Sequence, residues 1–147
     1  MLSETTYKTI ARTSAIYDLV VTSPFMTPWT LVLTLDVIHG LHTTLGLPGA
    51  APTFGAIHLL FGGLLGSVVV VWSLARLHLN LAILGRYDAL ARFLFAAWQI
   101  FAVANGATPV VLIFTVFEIA FGVAQLLPYR TASRNEFIVS APPAVAQ

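Results

Sequence analysis

The chain has 147 residues, of which 58% are hydrophobic and 9% charged, against roughly 25% charged residues in soluble globular domains; an ordinary water-soluble domain is excluded. Seven basic and six acidic side chains leave a net charge of +1, too small and too scattered for a nucleic-acid partner, whose footprint needs clustered Lys and Arg. With no cysteine, disulfides, thiolate nucleophiles, Cys-bound zinc and iron–sulfur clusters are excluded too. What remains is an integral membrane protein, with the lipid bilayer as its first partner.

Residues 1–27 form an N-terminal cytoplasmic segment in this reading. Asp18 interrupts its apolar stretch and no long uncharged core precedes a small-residue cleavage site, so the segment is expected to be retained and not removed as a signal peptide. Tyr7, Ile10, Tyr17 and Val21 fall near one helical face. Residues 5–21 are therefore expected either as an interfacial helix or as a partly ordered tail that ends in the hinge Ser23-Pro24-Phe25-Met26-Thr27-Pro28.

Residues 37–75 and 93–117 contain no Asp, Glu, Lys or Arg, and each run exceeds the ~20 apolar residues that cross a bilayer. Gly46, Pro48, Gly49 and Pro52 divide the first run, and Asn105-Gly106 with Thr108-Pro109 the second. Four spans are predicted. The first, 28–45, has Thr27 as N-cap, Pro28 at the first helical position and Gly46 as stop. The second covers 53–76 and emerges near His78, the third covers 87–104, and the fourth covers 109–127 and closes at Pro128. The fold class is thus all-α: a polytopic, four-helix up-and-down bundle over 28–128, followed by a flexible cytoplasmic tail, 129–147, with Pro142-Pro143. Lys8 and Arg12, then Arg76, Arg86 and Arg92, then Arg130 and Arg134 all fall on one side of this scheme. The positive-inside rule places that side, and both termini, in the cytoplasm.

Small and polar residues mark the inward faces, because only close backbone approach and hydrogen bonding hold helices together in lipid. His58, Gly62 and Gly66 recur at four-residue intervals in the second span, with Gly55 and Gly63 nearby. They are read as a packing ridge against another span or another chain. Thr115, Glu118, Gly122 and Gln125 share one arc of the fourth span, and the third contributes Gln99. Trp29, Phe54, Trp72, Tyr87 and Tyr129 sit near predicted helix ends, as interfacial anchors do.

Asp36, His39 and Thr43 lie along one face of the first span, with His42 on its flank. Asp36 and Glu118 both fall near the bilayer midplane by a count of ~1.5 Å per residue, and no Lys or Arg is expected at that depth. The two carboxyls must then be answered by His39, by each other if spans one and four are neighbours, or by a guest molecule. His42 and His58 flank the first outer connection at similar depth. Three readings stay open for them: ligands to a metal or haem iron, proton exchange with the outer phase, or structural imidazoles bonded to backbone. No HExxH helix, duplicated Glu-x-x-His, serine-hydrolase or phosphate-loop motif is present.

The stretch Phe117-Glu118-Ile119-Ala120-Phe121-Gly122, together with the length and the four spans, resembles the small DoxX-like membrane proteins, whose helices often carry a Glu followed four residues later by Gly. The likeness covers one helix. It implies a four-helix membrane subunit working beside quinone-linked redox enzymes, and it carries over no site residues. Glu118 and Phe121 ahead of Pro128 are also faintly similar to sterol-isomerase-type EXPERA helices.

The first expectation for function is a small accessory subunit, alone, self-associated or within a larger membrane complex. Its inner pocket, lined by Asp36, His39, Gln99 and Glu118, takes a quinone or lipid. The alternatives are a proton-coupled transport component using Asp36, His39 and Glu118 with His42 and His58 at the outer mouth, an enzyme acting on an isoprenoid or sterol through the same acids, and a haem- or metal-binding protein.

Overall fold

Ser3 opens the first helix: its hydroxyl accepts the Thr6 N–H at 3.0 Å, a capping geometry that satisfies one of the free donors of a helix start. In the computed structural model, which describes residues 1–51 and 53–130, α1 (Glu4–Thr22) runs from there into a 3₁₀ turn, Ser23–Met26. The turn expected at Pro52 and the flexibility expected of residues 131–147 fall outside the described residues. Thr27 caps α2 (Pro28–Thr44), accepting the Thr30 N–H at 3.3 Å with Pro28 at the first position. Gly46, at φ +56°, turns the chain where few other residues would.

α3 (Ala56–Leu79) ends at Asn80, whose left-handed φ of 48° suits the short polar side chain. α4 (Ala82–Ala104) stops at Asn105-Gly106; Thr108 then caps a 3₁₀ turn, Pro109–Val111, that leads into α5 (Leu112–Leu126). β1 (Leu2–Ser3) and β2 (Tyr129–Arg130) pair in parallel and bring the two ends of the described chain together. The Tyr7 and Tyr129 rings stack at 4.2 Å, and the Arg86 guanidinium stands over both.

The architecture is helical, with three segments long and apolar enough to cross a membrane, Ala56–Leu79, Ala82–Ala104 and Pro109–Leu126. Glu4–Met26 and Pro28–Thr44 pass the same test as a pair, bent by 107° at the break, so the described residues supply up to four crossings. Two boundaries move from their predicted places. α3 runs on past residue 76 and α4 begins before residue 87, leaving only Asn80 and Leu81 between them. Arg76 and Arg92, read from the sequence as lying with Arg86 at the connection between the second and third spans, lie inside helices, where both pair with Asp88.

α1 packs on α3, α4 and α5; α4 packs on α5; and α2 touches the Ser23–Met26 turn, α3 and the Pro109–Val111 turn. The helix beside α5 is therefore α1, not α2. Its buried face is Tyr7, Ser14, Ala15 and Asp18, a narrow strip of small and hydrogen-bonding side chains that admits close neighbours. α3 and α4, although consecutive, scarcely touch: α1 lies behind the gap between them.

Candidate functional site

Five ionisable side chains from four helices meet inside this bundle. Asp18 comes from α1, Arg76 from α3, Asp88 and Arg92 from α4, and Glu118 from α5, each at most 9% exposed. Arg92 is the hub. Its Nε donates to Asp88 Oδ2 at 2.9 Å, its Nη1 to Glu118 Oε2 at 2.8 Å, and its Nη2 to Asp18 Oδ1 at 2.7 Å and Ser14 Oγ at 2.6 Å. Arg76 bonds Asp18 through Nη2 and lies 2.5 Å from Asp88 Oδ2 through Nη1. Trp72 Nε1 donates to Asp88 Oδ1 at 3.2 Å, and Gln125 Nε2 donates to Asp88 Oδ2 and Ser14 Oγ at 2.9 Å each. Charges withdrawn from water need this density of partners, since each ion's desolvation amounts to several kcal/mol.

Local sequence explains the convergence. Asp88 and Arg92 stand four residues apart on one face of α4. Ser73 and Arg76 stand three apart on α3, where Nη2 donates to Ser73 Oγ at 3.1 Å. Gly122 lets α5 close on α4, for a Cβ there would stand 3.1 Å from the Phe93 ring.

Two cavities adjoin the cluster and share Asp18, Leu65, Val69, Phe95 and Glu118. The smaller holds about 190 Å³ beside Trp72, Asp88 and Arg92. The larger holds about 510 Å³, within the size range of small-molecule sites. Its walls are apolar, with Phe95 and Trp98 from α4, Leu65 and Val69 from α3 and Phe114 from α5. Leu65 and Trp98 are 56% and 68% exposed, so the cavity opens sideways through the gap between α3 and α4. Its polar groups are few. Gln99 accepts the Thr115 hydroxyl on Oε1 at 2.6 Å, and its NH2 has no acceptor among the described residues. Glu118 has Oε2 on Arg92, and among the described residues nothing bonds Oε1. Tyr17, stacked on Phe117 at 4.9 Å, adds a hydroxyl.

The residues singled out from sequence divide into two groups. Gln99 and Glu118 line the larger cavity. Asp36 and His39 are exposed on α2, away from Glu118, so the pairing of Asp36 with Glu118 does not form. The expectation that Glu118 has no cation at its depth is corrected as well: Arg92, ~15 Å along α4 at ~1.5 Å per residue, is its partner. His42 and His58 each have a separate contact, His42 Nδ1 with Thr108 Oγ1 at 3.0 Å and His58 Nδ1 with the Gly55 N–H at 3.2 Å. Among the described residues no three His, Cys, Asp or Glu side chains come together to hold a metal. Gly62 and Gly66 face Leu31 and Phe25; the ridge receives the bend between α1 and α2.

Asp18, Arg76, Asp88 and Arg92 were not among the expected site residues. The legible signal was Asp88-x-x-x-Arg92 inside a long apolar segment, a spacing that pairs opposite charges on one helix face. Comparison of the chain with protein-family models, with curated proteins and with solved structures finds no match.

Proposed function

We propose that this protein is a small integral membrane subunit that holds a lipophilic molecule, a quinone or a lipid, in the cavity between α3 and α4. The observation that carries this reading is an apolar cavity of about 510 Å³, open sideways, with Gln99 and Glu118 at hand for a polar end. A molecule dissolved in the bilayer enters such a site without crossing water, and a few placed polar groups fix its orientation. The likeness of residues 117–122 to DoxX-like proteins adds a redox setting, that of an accessory subunit beside a quinone-linked enzyme.

In this reading the first of the four crossings of an up-and-down bundle, placed at 28–45 from the sequence, is instead the bent pair Glu4–Met26 and Pro28–Thr44, whose α1 part packs on α3, α4 and α5. The pairing of Leu2–Ser3 with Tyr129–Arg130 supports an even number of crossings. Arg86 and Arg130 lie at the end where Leu2–Ser3 meets Tyr129–Arg130, and Lys8 and Arg12 fall in the half of α1 that starts there; the positive-inside rule then makes that end cytoplasmic. A proton path through Asp36 and His39 has less support, because both lie on α2 apart from Glu118.

Protein purified in mild detergent is expected to retain a lipid-soluble molecule, seen by native mass spectrometry and identified after organic extraction. Val69→Trp, which places an indole in the cavity from the α3 wall, is expected to abolish retention while leaving the thermal melt close to wild type. Equal occupancy in the two proteins would count against the pocket.

A further inference from the structure

Glu118 has an open oxygen on the cavity, and the charges around it do not balance. Three carboxylates, Asp18, Asp88 and Glu118, face two guanidiniums, Arg76 and Arg92, a formal excess of one negative charge in a medium that screens poorly. Both oxygens of each aspartate are engaged. Asp18 Oδ1 and Oδ2 receive Arg92, and Oδ2 also receives Arg76. Asp88 Oδ1 receives Trp72, and Oδ2 receives Ser14, Arg92 and Gln125. Of the six carboxylate oxygens in the cluster, only Glu118 Oε1 has no donor among the described residues; the amide Oε1 of Gln125 is also unpartnered but lines neither cavity, whereas Glu118 lines both.

Resting on the pocket reading above, we propose that the cavity selects lipophilic molecules whose polar end donates a hydrogen bond, a hydroxyl or an ammonium, to Glu118, and rejects those that end in an anion. A donor gives the last free carboxylate oxygen a charge-assisted bond, the stronger kind. An anionic headgroup would meet the excess negative charge with no guanidinium at hand to receive it: the Arg92 Nε, Nη1 and Nη2 groups are all committed within the cluster, and Arg76, whose buried Nε has no partner among the described residues, lines neither cavity. The Gln99 NH2 and the Tyr17 hydroxyl remain for a second polar atom on the same molecule. A ligand with one hydroxyl and one carbonyl fits both ends of this arrangement.

The test compares octadecanol, octadecylamine and octadecanoate, which share a chain and differ in the polar end, by native mass spectrometry of the detergent-solubilised protein. Wild type is expected to bind the alcohol and the amine at least about tenfold more tightly than the carboxylate, the scale of one charge-assisted hydrogen bond. Glu118→Gln keeps an oxygen for Arg92, turns an NH2 to the cavity and leaves two acids against two arginines. The variant is expected to fold, to lose about tenfold in alcohol and amine binding and to gain in carboxylate binding. Equal binding of the three probes by wild type overturns this selectivity and leaves the pocket standing. If no probe binds, or Val69→Trp binds them as wild type does, pocket and selectivity fall together. Should Glu118→Gln fail to fold, the order of the three probes on wild type decides by itself.

Discussion

Arg92→Met is expected to destabilise the fold by on the order of 3–5 kcal/mol, the usual consequence of removing one partner from a buried ion network, and to leave little monodisperse protein. The side chain is 2% exposed and bonds Asp18, Asp88 and Glu118 at once, so its loss strands three carboxylates with Arg76 alone. Packing is lost too, because the guanidinium carbon lies 5.1 Å from the centre of the Phe121 ring. Thermal unfolding followed by fluorescence-detected size exclusion measures the effect. Adding Glu118→Met to Arg92→Met removes one of the stranded charges and is expected to recover part of the loss, a coupling that independent sites do not show. Arg86→Met serves as the contrast: Arg86 is half-buried, stands over Tyr7 and Tyr129 and donates to Leu127 O at 3.0 Å, so a change of about 1 kcal/mol or less is expected. A melt for Arg92→Met indistinguishable from wild type would remove the ion cluster as the centre of the fold.

The second large effect is expected from Gly66→Ala. A Cβ at Gly66 would overlap the Cβ of Phe25 and stand 3.2 and 3.3 Å from its backbone C and Cα. Relief therefore requires the whole Ser23–Met26 turn to move, and about 1–3 kcal/mol of destabilisation follows from such overpacking. Gly62→Ala, one turn away, is its internal control. There the added methyl would sit 3.5 Å from Leu31 Cδ2, an ordinary contact, and the loss of a mid-helix glycine offsets any crowding. A melt lowered in Gly66→Ala and unchanged or raised in Gly62→Ala is the expected pattern. Equal melts would show that the turn does not depend on this seat.

The punctuation of the chain was legible because it is local. Thr27-Pro28 before α2, Gly46 after it, Asn105-Gly106 after α4 and Thr108-Pro109 before α5 act through their own backbone preferences, whatever surrounds them. The charged residues misled because their meaning depends on neighbours that a sequence does not display. Arg76 and Arg92 read as markers of the cytoplasmic side, yet each is neutralised by acids on other helices. Helical spacing put Asp36 and His39 on a common face but could not say what that face meets. The answer is set by the 107° bend ahead of α2, framed by Pro24 and Pro28, which sends α2 away from α5 and leaves α1 in the inner place. Gln99 and Glu118 survived as cavity residues because α4 and α5 pack as consecutive antiparallel neighbours joined by a short connection, the default of helical hairpins.

The position of α1 also fixes an order of events during synthesis. Ser14 and Asp18 leave the ribosome first, while their partners Arg76, Asp88, Arg92 and Gln125 are made last. Until residue 92 has been translated, Asp18 lacks one or both of its cations, Arg76 and Arg92, and until residue 125 Ser14 lacks the Gln125 amide, so the first helix is expected to seat only late in synthesis. Nascent chains arrested after residue 79 should expose Asp18 to water-soluble modifying reagents, and chains arrested beyond residue 130 should shield it.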